Sequence, residues 1–241
     1  MPRFSRPIPA GLCAHIVTRG NARATVFHSE ADYANFMHLM RDAQDRVRIE
    51  ILAWCLMPNH VHLVIRPGAD GDLARWMHWL LTTHVQRHRV RHKTTGRIWQ
   101  GRYKAFPIQA DRHLLMVLRY VERNPVRAVL VQRAIDWKWS SARERSPSGG
   151  PHGLLAPSPV PLPSPWLGWV DLPLTNAELA NVRRCAKRDR PLGDASWTRD
   201  LAGRLDLLGT LRTRGRPPVK GRPVLPQENG TDDRPLPACE R

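Results

Sequence analysis

Apolar and polar residues alternate most cleanly at 60–66, where Val61, Leu63 and Ile65 interleave with His60, His62, Val64 and Arg66. That period of two, entered through a Pro58-Asn59 turn signal, predicts a strand with one apolar face. Upstream, Cys13–Asn21 reads as a first strand ending in a Gly-Asn turn. Over residues 30–48, Tyr33, Phe36, Met37, Met40 and Ala43 recur at three- and four-residue steps, the stripe of a core-facing helix. Residues 49–55, rich in Ile, Leu and Trp, predict a second strand that returns antiparallel through a Leu56–Asn59 turn. Asp72 can cap a long helix over 73–91, with Leu73, Trp76, Met77, Leu80, Leu81 and Val85 on its buried side. Tyr103–Gln109 predicts a further strand, and Asp111 caps a helix carrying Leu114, Leu115, Val117, Leu118, Tyr120 and Val121. The order strand, helix, strand, strand, helix, strand, helix predicts an α+β fold. Its simplest form is a ferredoxin-like antiparallel sheet with the helices packed on one face.

Composition narrows the class. The 241 residues can bury a sizeable core, and length favours one domain with an appendage. Lys and Arg total 38 against 21 Asp and Glu, a net charge of +17 that points first to nucleic acid and second to an anionic surface. No apolar run approaches the roughly 18 residues of a membrane span, and the first residues lack a signal-peptide core. Cys13, Cys55, Cys185 and Cys239 are scattered without C-x-x-C pairing and read as reduced thiols. A cytoplasmic protein with no membrane partner is expected.

Period two places the imidazoles of His60 and His62 on one strand face, where together they can grip a divalent cation. Taken alone, a half-exposed strand that carries two histidines explains them better. Tyr120 and Asn124 lie one helical turn apart, and Pro125 disfavours helical geometry at Asn124, so the helix should end or kink there. Singly, these read as a boundary aromatic and a turn residue. From His84 to Lys104 there are seven Arg or Lys and no acid, with Trp99 and Tyr103 interleaved. Basic faces with aromatics suit a nucleic-acid backbone and its bases, which nominates Arg87, Arg91, Arg97, Arg102 and Lys104. His84, His88 and His92 fall at i, i+4 and i+8, leaving a second metal site and a solvated basic face open; the lack of a nearby carboxylate or Cys favours the face. Glu122 points off the face of Tyr120 and reads as solvated.

Read jointly, these segments resemble a known family. They are Arg19-Gly20-Asn21, Met57-Pro58-Asn59-His60-Val61-His62, Trp99-Gln100-Gly101-Arg102-Tyr103 and Tyr120-Val121-Glu122-Arg123-Asn124-Pro125-Val126-Arg127-Ala128. Their order over residues 10–145 is similar to that of the single-tyrosine transposases of the HUH (His-hydrophobic-His) endonuclease superfamily, and within them to the REP-associated tyrosine transposases. The resemblance implies Tyr120 as nucleophile and His60, His62 and Asn124 as holders of one divalent ion, Mg²⁺ or Mn²⁺. It implies nicking and rejoining of single-stranded DNA at palindromic hairpins through a 5′-phosphotyrosine link. A free phenol has a pKa of about 10, so Tyr120 would need cations nearby to react as phenolate. Arg123 and Arg127 join the candidate phosphate contacts. A non-cutting hairpin-binding descendant is the alternative. A monomer is expected, with a homodimer exchanging catalytic helices as the other arrangement.

Residues 146–165 hold seven Pro and three Gly, the composition of a semi-rigid linker. Beyond it, 166–222 predicts a basic tail with two short helices and an arm. The arm's Arg212, Arg214 and Arg216 are candidate DNA contacts. Residues 223–241 are expected to be disordered.

Overall fold

The computed structural model describes residues 8–147 and 153–212. The chain divides into two units, Met1–Leu211 and Arg212–Arg241. Arg214, Arg216 and the expected disordered end lie outside the described residues.

Within the first unit, strands β1 (Ala14–Arg19), β2 (Ile49–Met57), β3 (His60–Pro67) and β4 (Lys104–Pro107) form an antiparallel sheet in the order β2-β3-β1-β4. Helix α1 (Glu30–Arg46) connects β1 to β2, and α2 (Asp72–His92) connects β3 to β4. This is the βαββαβ pattern with the first strand central, the ferredoxin-like arrangement expected from the element order. Strand β2 runs through Met57, so the hairpin turn is Pro58-Asn59 alone, tighter than Leu56–Asn59. Asp72 is the first residue of α2 rather than its cap. Gly71 takes the cap position at φ 82°, and the buried Asp72 carboxylate accepts from the amide of Ala69 at 2.7 Å.

The expectation of helices on one face needs correction. Ala14, Ile16, Trp54, Leu56, Val61, Leu63 and Ile65 pack against α1 and α2, but Cys13, Ala53, Cys55, Met57, Val64 and Phe106 pack against α3 (Arg112–Glu122) on the opposite face. The central strands are thus buried on both sides, as sheets covered by helices on both faces require. Asp111 does cap α3, accepting from the amide of His113 at 2.7 Å. That helix stops at Glu122, and after Arg123 a single turn, α4 (Asn124–Arg127), continues with Pro125 in its first turn. Pro lacks an amide hydrogen, which a first turn does not need.

The chain after 146 departs most from expectation. Leu154 is buried, the amides of Leu154 and Leu155 donate to Glu144 Oε1 at 3.0 and 3.1 Å, and Ala156 donates to the carbonyl of Ile51. Helices α6 (Trp166–Asp171) and α7 (Asn176–Arg188) then pack on α3, after α5 (Ser141–Glu144). The first unit ends at Leu211, and residues 153–165 of the expected linker belong to its body together with 166–211, where a helix at Asn176–Arg188 stands as the pattern places it. Apolar Trp166, Val170 and Val182 outweigh the Pro and Gly around them by finding the uncovered flank of α3, while Leu154 joins the core on the α1 and α2 face.

Candidate active site

The site forms where the α3 face of the sheet meets Tyr120. Cross-strand register sets its rows. Arg19 lies opposite His60, and Lys104, Val17 and His62 follow one another across β4, β1 and β3. The predicted pairing of His60 and His62 holds, with ring centroids 4.8 Å apart and nearly perpendicular. Tyr120, on α3 above them, meets the ring of His62 edge-on at 5.8 Å and that of His15 at 6.0 Å. It is 8% exposed, buried but reachable at its rim.

Each histidine is backed by a second group. His60 Nδ1 lies 2.6 Å from Asn59 Oδ1, and Asn59 Nδ2 donates to the carbonyl of Arg23 at 3.0 Å. That second bond orients the amide oxygen toward His60, so Nδ1 carries the hydrogen and Nε2 the lone pair. His62 Nδ1 lies 2.9 Å from His15 Nε2. Burial lowers the pKa of His60 to about 4, with Arg19 and Arg127 adding repulsion. Burial also holds His62 well below the ordinary histidine range, helped by His15, His60 and both arginines. Both imidazoles are therefore neutral near pH 7, the form that ligates metals.

Asn124 sits as predicted one turn beyond Tyr120 and is fully buried. Its Nδ2 donates to the Tyr120 carbonyl at 2.9 Å, while Oδ1 accepts from Arg127 Nη2. The guanidinium of Arg127 also lies 5.5 Å over the Tyr120 ring. Two neutral imidazoles and an amide oxygen with one lone pair uncommitted fit a divalent ion, Mn²⁺ more comfortably than the oxygen-preferring Mg²⁺.

The loop 20–27 supports this arrangement. Gly20 donates to the Asn59 carbonyl, and Val26 and Phe27 donate to that of Pro58, at 2.8, 2.8 and 3.1 Å. A Cβ on Gly20 would fall 2.3 Å from the Ala24 carbonyl oxygen, so glycine is required there. Gln100 donates to the Arg19 carbonyl and Asn21 to that of Ile98, joining Trp99-Gln100 to Arg19-Gly20-Asn21.

The nominated cations divide. Arg127 is in the site and Lys104 shares its face, while Arg123 donates to the carbonyl of Asp171 beside α3. Arg97 and Arg102 are exposed on the loop between α2 and β4. Arg87 and Arg91 lie on α2, across the sheet from Tyr120, where α1 brings acids to them: Arg91 pairs with Asp32 at 3.1 Å and Arg87 with Asp42 at 3.9 Å. His84 and His88 are likewise buried against α1 instead of solvated, because α2 turns that stripe toward Phe27 and Phe36. Glu122 is fully buried, not solvated: it accepts from Ser141 Oγ at 2.6 Å, Arg145 Nε at 2.7 Å and Trp166 Nε1 at 2.7 Å.

His15 and Arg19 went unassigned in the sequence. The signal was there: with Val17 they keep the period of two on β1, which pairs with the His-Val-His strand.

Residues 10–124 match the family model of IS200-like transposases. A Haemophilus influenzae protein named as a REP-associated tyrosine transposase is 29% identical over 122 residues, covering 46% of this chain and 69% of that one. A solved structure of a REP-associated tyrosine transposase bound to a REP hairpin is 21% identical, with a TM-score of 0.48 over 66% of this chain and 93% of that chain. A crystal structure described as a transposase from Deinococcus radiodurans is 18% identical, with a TM-score of 0.36 over 50% of this chain and 96% of that chain. The chain resembles the REP-associated tyrosine transposases, as its motifs imply.

Proposed function

We propose that this IS200-like chain nicks and rejoins single-stranded DNA at palindromic repeat hairpins, with Tyr120 as nucleophile. The observation that carries the proposal is the meeting of Tyr120, from α3, with the buried ring of His62, which lies against His60 on the same face of β3. The Tyr120 oxygen attacks the scissile phosphorus, its proton departs, and the bond to the 3′ oxygen breaks. The products are a 5′-phosphotyrosine and a protonated 3′-hydroxyl. The energy of the phosphodiester is kept in the tyrosyl link, so another 3′-hydroxyl can reverse the step without ATP.

His60, His62 and Asn124 would hold Mg²⁺ or Mn²⁺, which supplies charge to polarise the phosphate. Around them the chain's own groups bind and orient. Arg127, over the Tyr120 ring, offers its guanidinium to a phosphate oxygen beside the attacking group. Arg19 and Lys104, on the same sheet face, extend the cationic track, and Arg102 and Arg97 continue it on the neighbouring loop. Arg123 supports α3 through Asp171, while Arg87 and Arg91 act across the sheet as part of the overall basic field. Arg212, Arg214 and Arg216 would add contacts from the second unit. Because Tyr120 and the His pair come from one chain, a monomer can complete the site.

The test is incubation of labelled hairpin DNA with the protein and Mn²⁺ or Mg²⁺, followed by denaturing electrophoresis. A metal-dependent covalent band, absent for Tyr120→Phe and His62→Ala, is expected. Hairpin binding without that band in either ion would replace the proposal with a non-cutting DNA-binding protein.

A further inference from the structure

His15 has no part in the chemistry just described, yet it is fully buried at its centre. Its ring is parallel to that of His62 within 3°, with centroids 5.1 Å apart and Nε2 lying 2.9 Å from His62 Nδ1. That separation is too long for face-to-face contact. It is the spacing of two imidazoles joined end to end in one plane by a hydrogen bond. Phe106 closes one flank of His15 edge-on at 5.0 Å, and Tyr120 closes another at 6.0 Å. No described residue bonds the buried Nδ1 of His15. Among the described residues, the one polar contact that orients this ring is His62.

An in-plane bond between two neutral imidazoles has two arrangements. If His15 Nε2–H donates, His62 Nδ1 accepts, and the hydrogen of His62 is left on Nε2, where it blocks ligation. If His62 Nδ1–H donates, His62 Nε2 keeps its lone pair, and the hydrogen of His15 sits on Nδ1. The neighbouring ligand shows which arrangement the site requires. His60 already donates Nδ1–H to Asn59, whose own amide hydrogen goes to Arg23, and so presents Nε2.

Building on the transposase reading above, we propose that His15 is a positioning residue. It accepts the Nδ1 hydrogen of His62, fixes that ring's tautomer and plane, and so presents His62 Nε2 to the divalent ion beside His60. A histidine is suited to this task at a fully buried position, because a neutral imidazole can accept in the plane it shares with His62. A carboxylate would draw His62 more strongly, but would place a charge between Phe106 and Val64. The hydrogen left unpartnered on His15 Nδ1 is a local cost that the fold tolerates for the sake of the site.

The test compares wild type with His15→Gln, whose amide oxygen can accept the same hydrogen, and His15→Leu, which fills the space without accepting. Two readouts are used, neither of them activity. Free Mn²⁺ is titrated by its electron paramagnetic resonance signal, and the tautomer of His62 is read from imidazole ¹⁵N shifts in the metal-free protein. Wild type should show His62 as the Nδ1–H form. His15→Leu should weaken Mn²⁺ binding about 10- to 100-fold and redistribute the tautomer, whereas His15→Gln should stay within a few-fold of wild type. His62 found mainly as the Nε2–H form in wild type, or Mn²⁺ binding undiminished in a folded His15→Leu, would overturn the role of His15 alone. Failure of wild type to bind Mn²⁺ at all would instead overturn the metal reading on which the role rests.

Discussion

Removing the guanidinium of Arg145 should unlock the helix that carries Tyr120. Glu122, two residues beyond Tyr120, is fully buried and accepts from Ser141, Arg145 and Trp166, of which Arg145 is the only charged donor among the described residues. Arg145 in turn donates to the carbonyl of Leu52 on β2 and is 14% exposed. The pair thus ties α3 to the sheet and, through Trp166, to α6. Replacing both charges with apolar groups can be close to neutral, whereas stripping one partner from a buried pair costs about 3–5 kcal/mol because the other charge is left uncompensated. Arg145→Met, which keeps the aliphatic stem, should therefore lose roughly that amount. For a unit of this size the corresponding fall in Tm is about 6–20 °C. Adding Glu122→Gln should recover at least half of the loss, since the amide oxygen still accepts from Ser141 or Trp166 and no buried charge remains. Urea denaturation of wild type, both singles and the double gives the coupling directly. A loss below about 1 kcal/mol for Arg145→Met, or strictly additive losses in the double, would refute the claim that this ion pair anchors α3.

Three further outcomes follow from the site and its supports. Gly20→Ala pushes a methyl group to 2.3 Å from the Ala24 carbonyl, so the loop under Asn59 must shift. A loss of about 1–3 kcal/mol is expected by thermal melting, and an unchanged Tm would contradict the packing described. Asn59→Ala removes the group that fixes the His60 tautomer; Mn²⁺ affinity measured by calorimetry should fall about 10- to 100-fold, and full affinity would show that Asn59 does not orient the ligand. His84, buried against α1 with His88 beside it and Asp32 nearby, has its pKa lowered to about 3, chiefly by burial. The unfolded chain takes up that proton near pH 6.5, so stability is intact above this value. It is lost as pH falls toward 3, by up to about 1.4 kcal/mol per pH unit for this group. His84→Leu should flatten the fall in Tm between pH 7 and 5; an unaltered slope would assign the acid sensitivity elsewhere.

Much of the sheet was legible because its signals are local. The alternation at 60–66, the three- and four-residue stripe of α1 and the Asp111 cap depend on neighbours in sequence, and each element appears where these place it. The pairing of His60 with His62 follows from strand period alone. Errors arose where distant segments meet. Glu122 looks like a surface acid in sequence, and only the arrival of Ser141, Arg145 and Trp166 makes its burial tolerable. Asp32 comes from 60 residues away in sequence to meet His92, so a stretch without acids is not a surface without acids. Composition reports the solvation and stiffness of the Pro-rich segment, but not the apolar surfaces that receive Leu154 on the α1 and α2 face and Trp166 beside α3. His15 could have been nominated from its strand period, but its bond to His62 needs the β1–β3 register, which sequence alone does not state.

Mapping the covalent attachment tests the central claim most directly. The protein would be incubated with hairpin DNA and Mn²⁺, the adduct digested with nuclease and protease, and the peptide bearing a nucleotide 5′-phosphate identified by mass spectrometry. The account predicts the modification on Tyr120, lost in Tyr120→Phe and when the metal is chelated. Attachment at Tyr33 or Tyr103, or cleaved DNA with no protein-bound phosphate, would contradict it.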